Sequence, residues 1–132
     1  MSDYAVALQT AVYDALNGDS SLTSSVSGIF DFVPESTSFP YVKVGDQTMV
    51  EDGTKDKKGS DFTLMVHTFS RYRGSKEIKE IMSLVYGILH ESSLSISGAM
   101  NNMRFEFSDI IKESDGLTTH GVQRFKAFVL TN

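Results

Sequence analysis

The chain has 132 residues, 40% of them hydrophobic, with nine Phe, five Tyr, no Trp and no Cys. This is a common single-domain length, able to bury about two-thirds of its unfolded surface around one core, and the missing cysteines exclude disulfides, thiolate metal sites and cysteine nucleophiles. Seventeen acidic against 12 basic residues leave a net charge of −5, which argues against a general grip on nucleic acid, because that needs a basic face.

The first apolar run, Tyr4 to Leu8, has no basic segment before it. It is far shorter than the roughly 20 residues of a spanning helix, so neither a secretory leader nor a membrane segment is expected. Ala5, Leu8, Val12, Ala15 and Leu16 recur at helical spacing and predict an amphipathic helix over Asp3 to Asn17. Asp3 suits its N-cap, and Gly18 suits a left-handed residue at its end. Val6 and Tyr13 lie off the core stripe, either as tolerated surface apolars or as contacts for a neighbouring subunit.

Asp19 to Val26 can add one helical turn. Ile29 to Val33 and Tyr41 to Val50 read as β segments, bounded by Pro34 and Pro40, neither of which can donate to a sheet ladder. Glu51 to Ser60 mixes charges that cancel with two glycines and reads as a mobile loop. It is either solvated or, through Lys55, Lys57 and Lys58, an arm that orders against a partner. Asp61 to Arg71 alternates and is rich in β-branched and aromatic residues, the pattern of a strand.

Ser75 is placed to cap the clearest helix, whose Ile78, Ile81, Met82, Val85, Ile88 and Leu89 share one face. Before it, Arg71, Arg73 and Lys76 surround Gly74 as a solvated corner or a docking patch. A short strand, Leu94 to Ile96, then leads to two long alternating strands. The order α-β-β-β-α-β-β-β, without repeats or a linker, predicts one α+β domain over residues 1–132: a mainly antiparallel sheet with two amphipathic helices on one face.

The last two strands flank Glu113 to Gly121, where Asp, His, Thr and Ser crowd together. Centring a hairpin on Gly116 pairs Phe105 with Ala127, Phe107 with Phe125 and Met103 with Val129 on one face. Glu106 with Lys126 and Ser108 with Arg124 then share the other, and a slip of one residue would mix the faces. Asp115 and Gly116 supply the turn, Gly accepting positive φ and Asp bonding its own backbone two residues on. A hairpin therefore accounts for most of these residues without chemistry.

Catalysis by His120 would need a nucleophile and an orienting third group, and no nucleophile elbow is present. His120 is expected to bond the loop backbone, His67 to be a satisfied, partly buried strand residue, and His90 to sit at a helix C-terminus. The three histidines lack metal-ligand spacing, and neither GxGxxG nor GxxxxGK[ST] occurs. No catalytic, cofactor or metal residues are expected.

Phe39-Pro40-Tyr41-Val42, Ser70-Arg71 with Gly74, Arg104-Phe105, and Asp115-Gly116-Leu117-Thr118 leading to His120-Gly121-Val122 and Arg124-Phe125 follow one another in a distinctive order. In these motifs, over nearly its whole length, the chain resembles the tail-completion or tail-terminator (head–tail joining) proteins of long-tailed phages and gene transfer agents. It departs from them at Glu113-Ser114, where Asp-Pro is frequent, and at Phe69, where Trp is frequent.

The resemblance implies a tail-terminator-like fold and a structural virion protein rather than an enzyme, with no cofactor. It also implies assembly in the host cytoplasm as a homo-hexameric ring at the head-proximal end of the tail. Such a ring stops polymerisation of the tail tube protein on one side and receives a head completion, stopper or connector protein on the other. DNA passes through its centre without sequence-specific binding, and no membrane is involved. Val6, Tyr13, Lys55, Lys57, Lys58, Arg71 and Arg73 are the candidate assembly contacts, and Asp115, Gly116, His120 and Gly121 the structural hairpin. Two other readings stay open: an α+β binding module without a ring, and a hydrolase using His120 with Asp115.

Overall fold

The computed structural model describes residues 4–51, 58–91, 94, 99–100 and 103–131. In chain order it has α1 (Tyr4–Asn17), the one-turn α2 (Ser20–Thr23), β1 (Ile29–Phe30), β2 (Tyr41–Glu51), β3 (Lys58–Ser70), α3 (Lys76–Leu89), β4 (Ala99–Met100), β5 (Arg104–Lys112) and β6 (Thr119–Thr131). The chain is α+β, as the periodicity predicts.

Leu8, Val12 and Leu16 of α1 repeat every fourth residue, so one stripe is fully buried. Asp3, the expected cap, lies outside the described residues. Gly18 does not take the expected left-handed conformation; among the described glycines only Gly74 and Gly116 have positive φ. No reversal is needed there, because α2 restarts almost at once, with Asp19 Oδ1 accepting from the Leu22 amide at 3.0 Å and Leu22 sealed in the core. Along α3, Ile78, Ile81, Met82, Val85 and Leu89 are buried. Ser75 stands at the N-cap position of α3, but its side chain makes no capping bond.

The strands are ordered β1-β2-β3-β6, with β4 and β5 lying end to end along the far side of β6. Among the described residues only β1 and β2 pair in parallel, and the other pairs are antiparallel. β1 is shorter than expected, since a parallel partner obliges the chain to return to its starting end and residues 31–40 are spent on that return. The predicted loop Glu51 to Ser60 is also shorter: Glu51 pairs with Ser60 in the β2–β3 ladder, which leaves 52–57, outside the described residues. Leu94 is not in a strand and residues 95–96 lie outside the description, while a short strand forms at Ala99–Met100 instead.

Strand parity divides the sheet into two faces. Val42, Val44, Phe62, Leu64, Val66, Phe125, Ala127 and Val129 point to the inner face and pack beneath α1 and α3 into one buried cluster. The Gln123 side chain ties the layers by donating to the Met82 carbonyl at 2.9 Å. Gly121 also belongs to this face, not to the turn. It lies in β6, where an added Cβ would stand 2.5 Å from Met82 Sδ and 3.2 Å from Ile78, so α3 can rest on the sheet only because the side chain is absent.

The β5–β6 hairpin forms, but in a different register from that predicted. Phe105 faces Phe125, Phe107 faces Arg124 and Ser108 faces Gln123, with the pairing shifted between Phe105 and Phe107. Val129 pairs with Met100 rather than Met103. The extra residue at Glu106 is a β-bulge. It turns Phe107 outward, 43% exposed, and brings the Glu106 carboxylate to Arg124 Nε at 2.7 Å, with Lys126 at 3.9 Å.

Candidate functional site

At the end of the sheet where β2 begins and β3 ends, the motif residues Phe39, Tyr41, Ser70, Arg71, Asp115, Thr118 and His120 come together. They arrive by five routes: the β1–β2 connection, the strand β2, the end of β3, the β5–β6 turn, and the start of β6.

The turn is held by Asp115. Its Oδ1 accepts from the Leu117 and Thr118 amides, both at 2.8 Å, and its Oδ2 from the Thr118 hydroxyl at 2.7 Å. Gly116 takes φ +72°, which an L side chain would resist, and the Glu113 amide closes the loop on the Thr118 carbonyl at 2.8 Å. The amides of Thr118 and Leu117, then the Thr118 hydroxyl and more weakly Arg71, hold the Asp115 carboxyl down at about 2.

Arg71 reaches across from the end of β3. Its Nε donates to Thr118 Oγ1 at 3.0 Å, its Nη2 lies 3.5 Å from Asp115 Oδ2, and its guanidinium sits 4.3 Å above the Phe39 ring centre. It is therefore a link between three segments rather than a freely solvated corner.

On the open face of the sheet the register makes Tyr41, Phe69 and His120 neighbours across β2, β3 and β6. Their rings stack, Tyr41 on Phe69 at 5.0 Å and Phe69 on His120 at 4.3 Å, with Phe39 5.2 Å from Tyr41. Such cross-strand ring pairs stabilise a sheet by a few tenths to about 1 kcal/mol each. Burial raises the Tyr41 phenol above its ordinary value, against a smaller lowering by Arg71.

His120 bonds side chains, not the loop backbone. Its Nδ1 lies 2.9 Å from Glu113 Oε2 and its Nε2 lies 2.8 Å from His67 Nδ1. Burial, and then the nearby His120, hold His67 below the ordinary imidazole value; Asp46, 3.8 Å away, opposes this, and Lys43 adds a smaller lowering. The hydrolase reading required Asp115 to orient His120. Instead the Asp115 oxygens are taken up by its own loop, and Glu113 and His67 hold both ring nitrogens. The cluster fixes a shape; it presents no activated nucleophile.

The other predicted contacts are dispersed. Val6 is 67% exposed on α1, whereas Tyr13 is half-buried and lines a groove of about 360 Å³ with Gln9, Ile29, Phe30 and Val44. Arg73 is exposed beside Gly74, whose φ is +76°. Lys55 and Lys57 lie outside the described residues, and of Lys58 only the backbone, at the start of β3, is described. His90 caps α3 through its backbone N–H, which donates to the Tyr86 carbonyl at 2.8 Å, and its Nδ1 accepts from the Phe105 amide at 3.0 Å. Two exposed apolar side chains not singled out in the sequence flank the Arg71–Thr118 link: Tyr72, 53% exposed, and Leu117, 61% exposed. The family-like motif Asp115-Gly116-Leu117-Thr118 contained the signal for Leu117.

Residues 10–130 match the family model described as tail completion protein gp17. The curated tail completion protein gp17 of Bacillus phage SPP1 is 26% identical over 96% of this chain and 93% of its own length. The solved structure of bacteriophage SPP1 gp17 matches 96% of this chain and 90% of that one at TM-score 0.66. A chain from the virion of a native gene transfer agent particle shares the fold more closely, at TM-score 0.91 over 98% of this chain and 99% of that one, with 22% identity.

Proposed function

The chain belongs to the tail completion protein gp17 family, a family of structural proteins rather than enzymes, and on that premise we propose that it completes a tail by forming a ring. The ring caps the head-proximal end of the tail tube, stops tube polymerisation and receives the head's completion or connector protein. It takes its place in the virion, or in a gene-transfer-agent particle, and encloses a channel for DNA.

One observation carries this reading. The motifs around Phe39, Tyr41, Ser70, Arg71, Asp115 and His120 converge on one end of the sheet, where they build a cross-linked, non-catalytic clamp that displays Tyr72 and Leu117 to solvent; Arg104-Phe105 and Arg124-Phe125 lie farther along β5 and β6. Residues committed to shape and flanked by exposed apolar side chains fit a docking surface.

The size is compatible. A 132-residue domain has a radius of gyration near 14 Å, hence a diameter of about 36 Å, and six such bodies in contact leave a hole of the same order. A duplex passes through it, and the net charge of −5 disfavours adhesion of phosphates to the wall. Closure requires a heterologous interface, one patch meeting a different patch on the next subunit. The open strand edges and the Val6 side of α1 supply further candidates.

The test is particle assembly with Tyr72→Ser and Leu117→Ser combined. The expected result is a folded protein that yields unjoined heads and tails, or tails of uncontrolled length. Normal yield and tail length would overturn the placement of the docking surface. A protein that stays monomeric and shows no affinity for tube protein would favour a binding module without a ring.

A further inference from the structure

The open face carries a row of four ionisable groups, of which His120 belongs to the cluster described above. From the turn to β2 it runs Glu113, His120, His67 and Asp46, with successive separations of 2.9, 2.8 and 3.8 Å. It joins the hairpin tip to β3 and β2 by side chains alone. Gly45 belongs to the same construction. A Cβ there would stand 2.6 Å from His67 Cδ2 and 2.8 Å from Nε2, so the missing side chain lets the imidazole lie against β2.

Proton counting limits which states this row tolerates. Glu113 is an acceptor when ionised, so His120 Nδ1 must carry a proton. The 2.8 Å gap between His120 Nε2 and His67 Nδ1 needs one proton, from either ring. Two neutral imidazoles satisfy both short contacts, and leave the bare His67 Nε2 facing the Asp46 carboxylate. One added proton fills that third position also. A second added proton puts an N–H on both sides of the 2.8 Å gap, where two donors and two positive charges oppose each other.

We propose that Glu113, His120, His67 and Asp46 form an acid-released clasp, closed with no extra proton or one and opened by the second, which sets the posture of the hairpin tip. The charges around it favour the first proton and resist the second. Asp46 on β2 and Glu113 on the turn attract a proton, and Lys43 on β2 repels one. Farther along the same face, Asp109 of β5 has one carboxylate oxygen engaged by the Ile110 amide, and Arg124 of β6 is paired with Glu106. The lowered affinity of His67 for a proton agrees with opening below the ordinary imidazole value of about 6.5. Release would leave the segment that carries Leu117 tied to the end of β3 by the Arg71 side chain without the histidine row, while Asp115 keeps the turn itself folded.

The clasp holds whichever partner the surface meets, so its test is independent of ring assembly. The ring ¹⁵N resonances of His67 and His120 and the hydrogen-exchange protection factors of amides 119–121, at the start of β6, are followed in the wild-type protein from pH 8 to pH 4. The expected result is an acid-side step in which the second ring protonation and a tenfold or greater loss of protection coincide. His67→Gln, which cannot titrate, should lack that step. Two imidazoles that titrate independently with protection unchanged would overturn the clasp, as would a wild-type step persisting in His67→Gln. If the variant does not fold, the wild-type titration alone decides.

Discussion

On the inner face of the sheet, Phe62, Leu64, Phe125 and Val129 are sealed beneath α1 and α3. On the open face β2, β3 and β6 carry Tyr41, His67, Phe69 and His120, whose rings stack or tilt against one another. The inner face gains stability from apolar area removed from water, at about 25 cal/mol per Å². The open face buries less apolar area, with the His67 and His120 side chains 13% and 17% exposed, and its side chains also fix one another's orientation. The contrast separates what keeps the chain folded from what it shows to a partner. Substitutions on the two faces should therefore differ in kind.

The largest effect is expected on the inner face. Phe125→Ala removes a fully buried ring and should lower unfolding free energy by about 3–5 kcal/mol, read from the denaturant midpoint. Gly121→Ala, which drives a methyl into Met82 Sδ at 2.5 Å, should cost about 1–3 kcal/mol through overpacking. If either variant keeps wild-type stability, the inner face is not the seat of the fold.

The open end should respond to pH rather than to loss of area. Asp115, held at about 2 when folded against about 3.9 when unfolded, contributes stability that is complete above pH 4. That contribution is lost as pH falls through 2, because the unfolded chain takes up the proton first. Asp115→Asn should flatten this part of the stability profile, measured by thermal melts between pH 2 and pH 5, and leave the slope above pH 5 unchanged. A wild-type acid slope in Asp115→Asn would remove Asp115 as the turn's anchor.

The smallest stability effect is expected for Leu117→Ser. A side chain 61% exposed should change stability by no more than about 0.5 kcal/mol, while tail completion falls. Equal loss of stability and assembly in that variant would erase the distinction between the faces.

Much of the fold was legible because periodicity reports burial directly. The stripe Leu8, Val12, Leu16 and the face Ile78, Ile81, Val85, Leu89 announce helices, and the alternation of Phe62, Leu64 and Val66 announces a strand with one covered side. Asp115-Gly116 announced its turn by side-chain chemistry. The register was not legible: a bulge at Glu106 has no residue signature, yet it moves Phe105 into the place expected for Phe107. The histidine contact was hidden for a related reason. His67 and His120 lie 53 residues apart in sequence, and they meet only because β3 and β6 pair with Phe69 opposite His120. The motifs that carry the family likeness were visible as strings, but the convergence of those around Tyr41, Arg71, Asp115 and His120 at one end of the sheet depends on that pairing.

The claim that this end is an assembly surface is tested most directly by electron cryomicroscopy of intact particles. The account predicts one ring of this chain between tube and head, with Tyr72 and Leu117 buried against a neighbouring subunit, the tube or the head protein. A particle in which both side chains face open solvent, or in which the chain forms no ring at that junction, would contradict it.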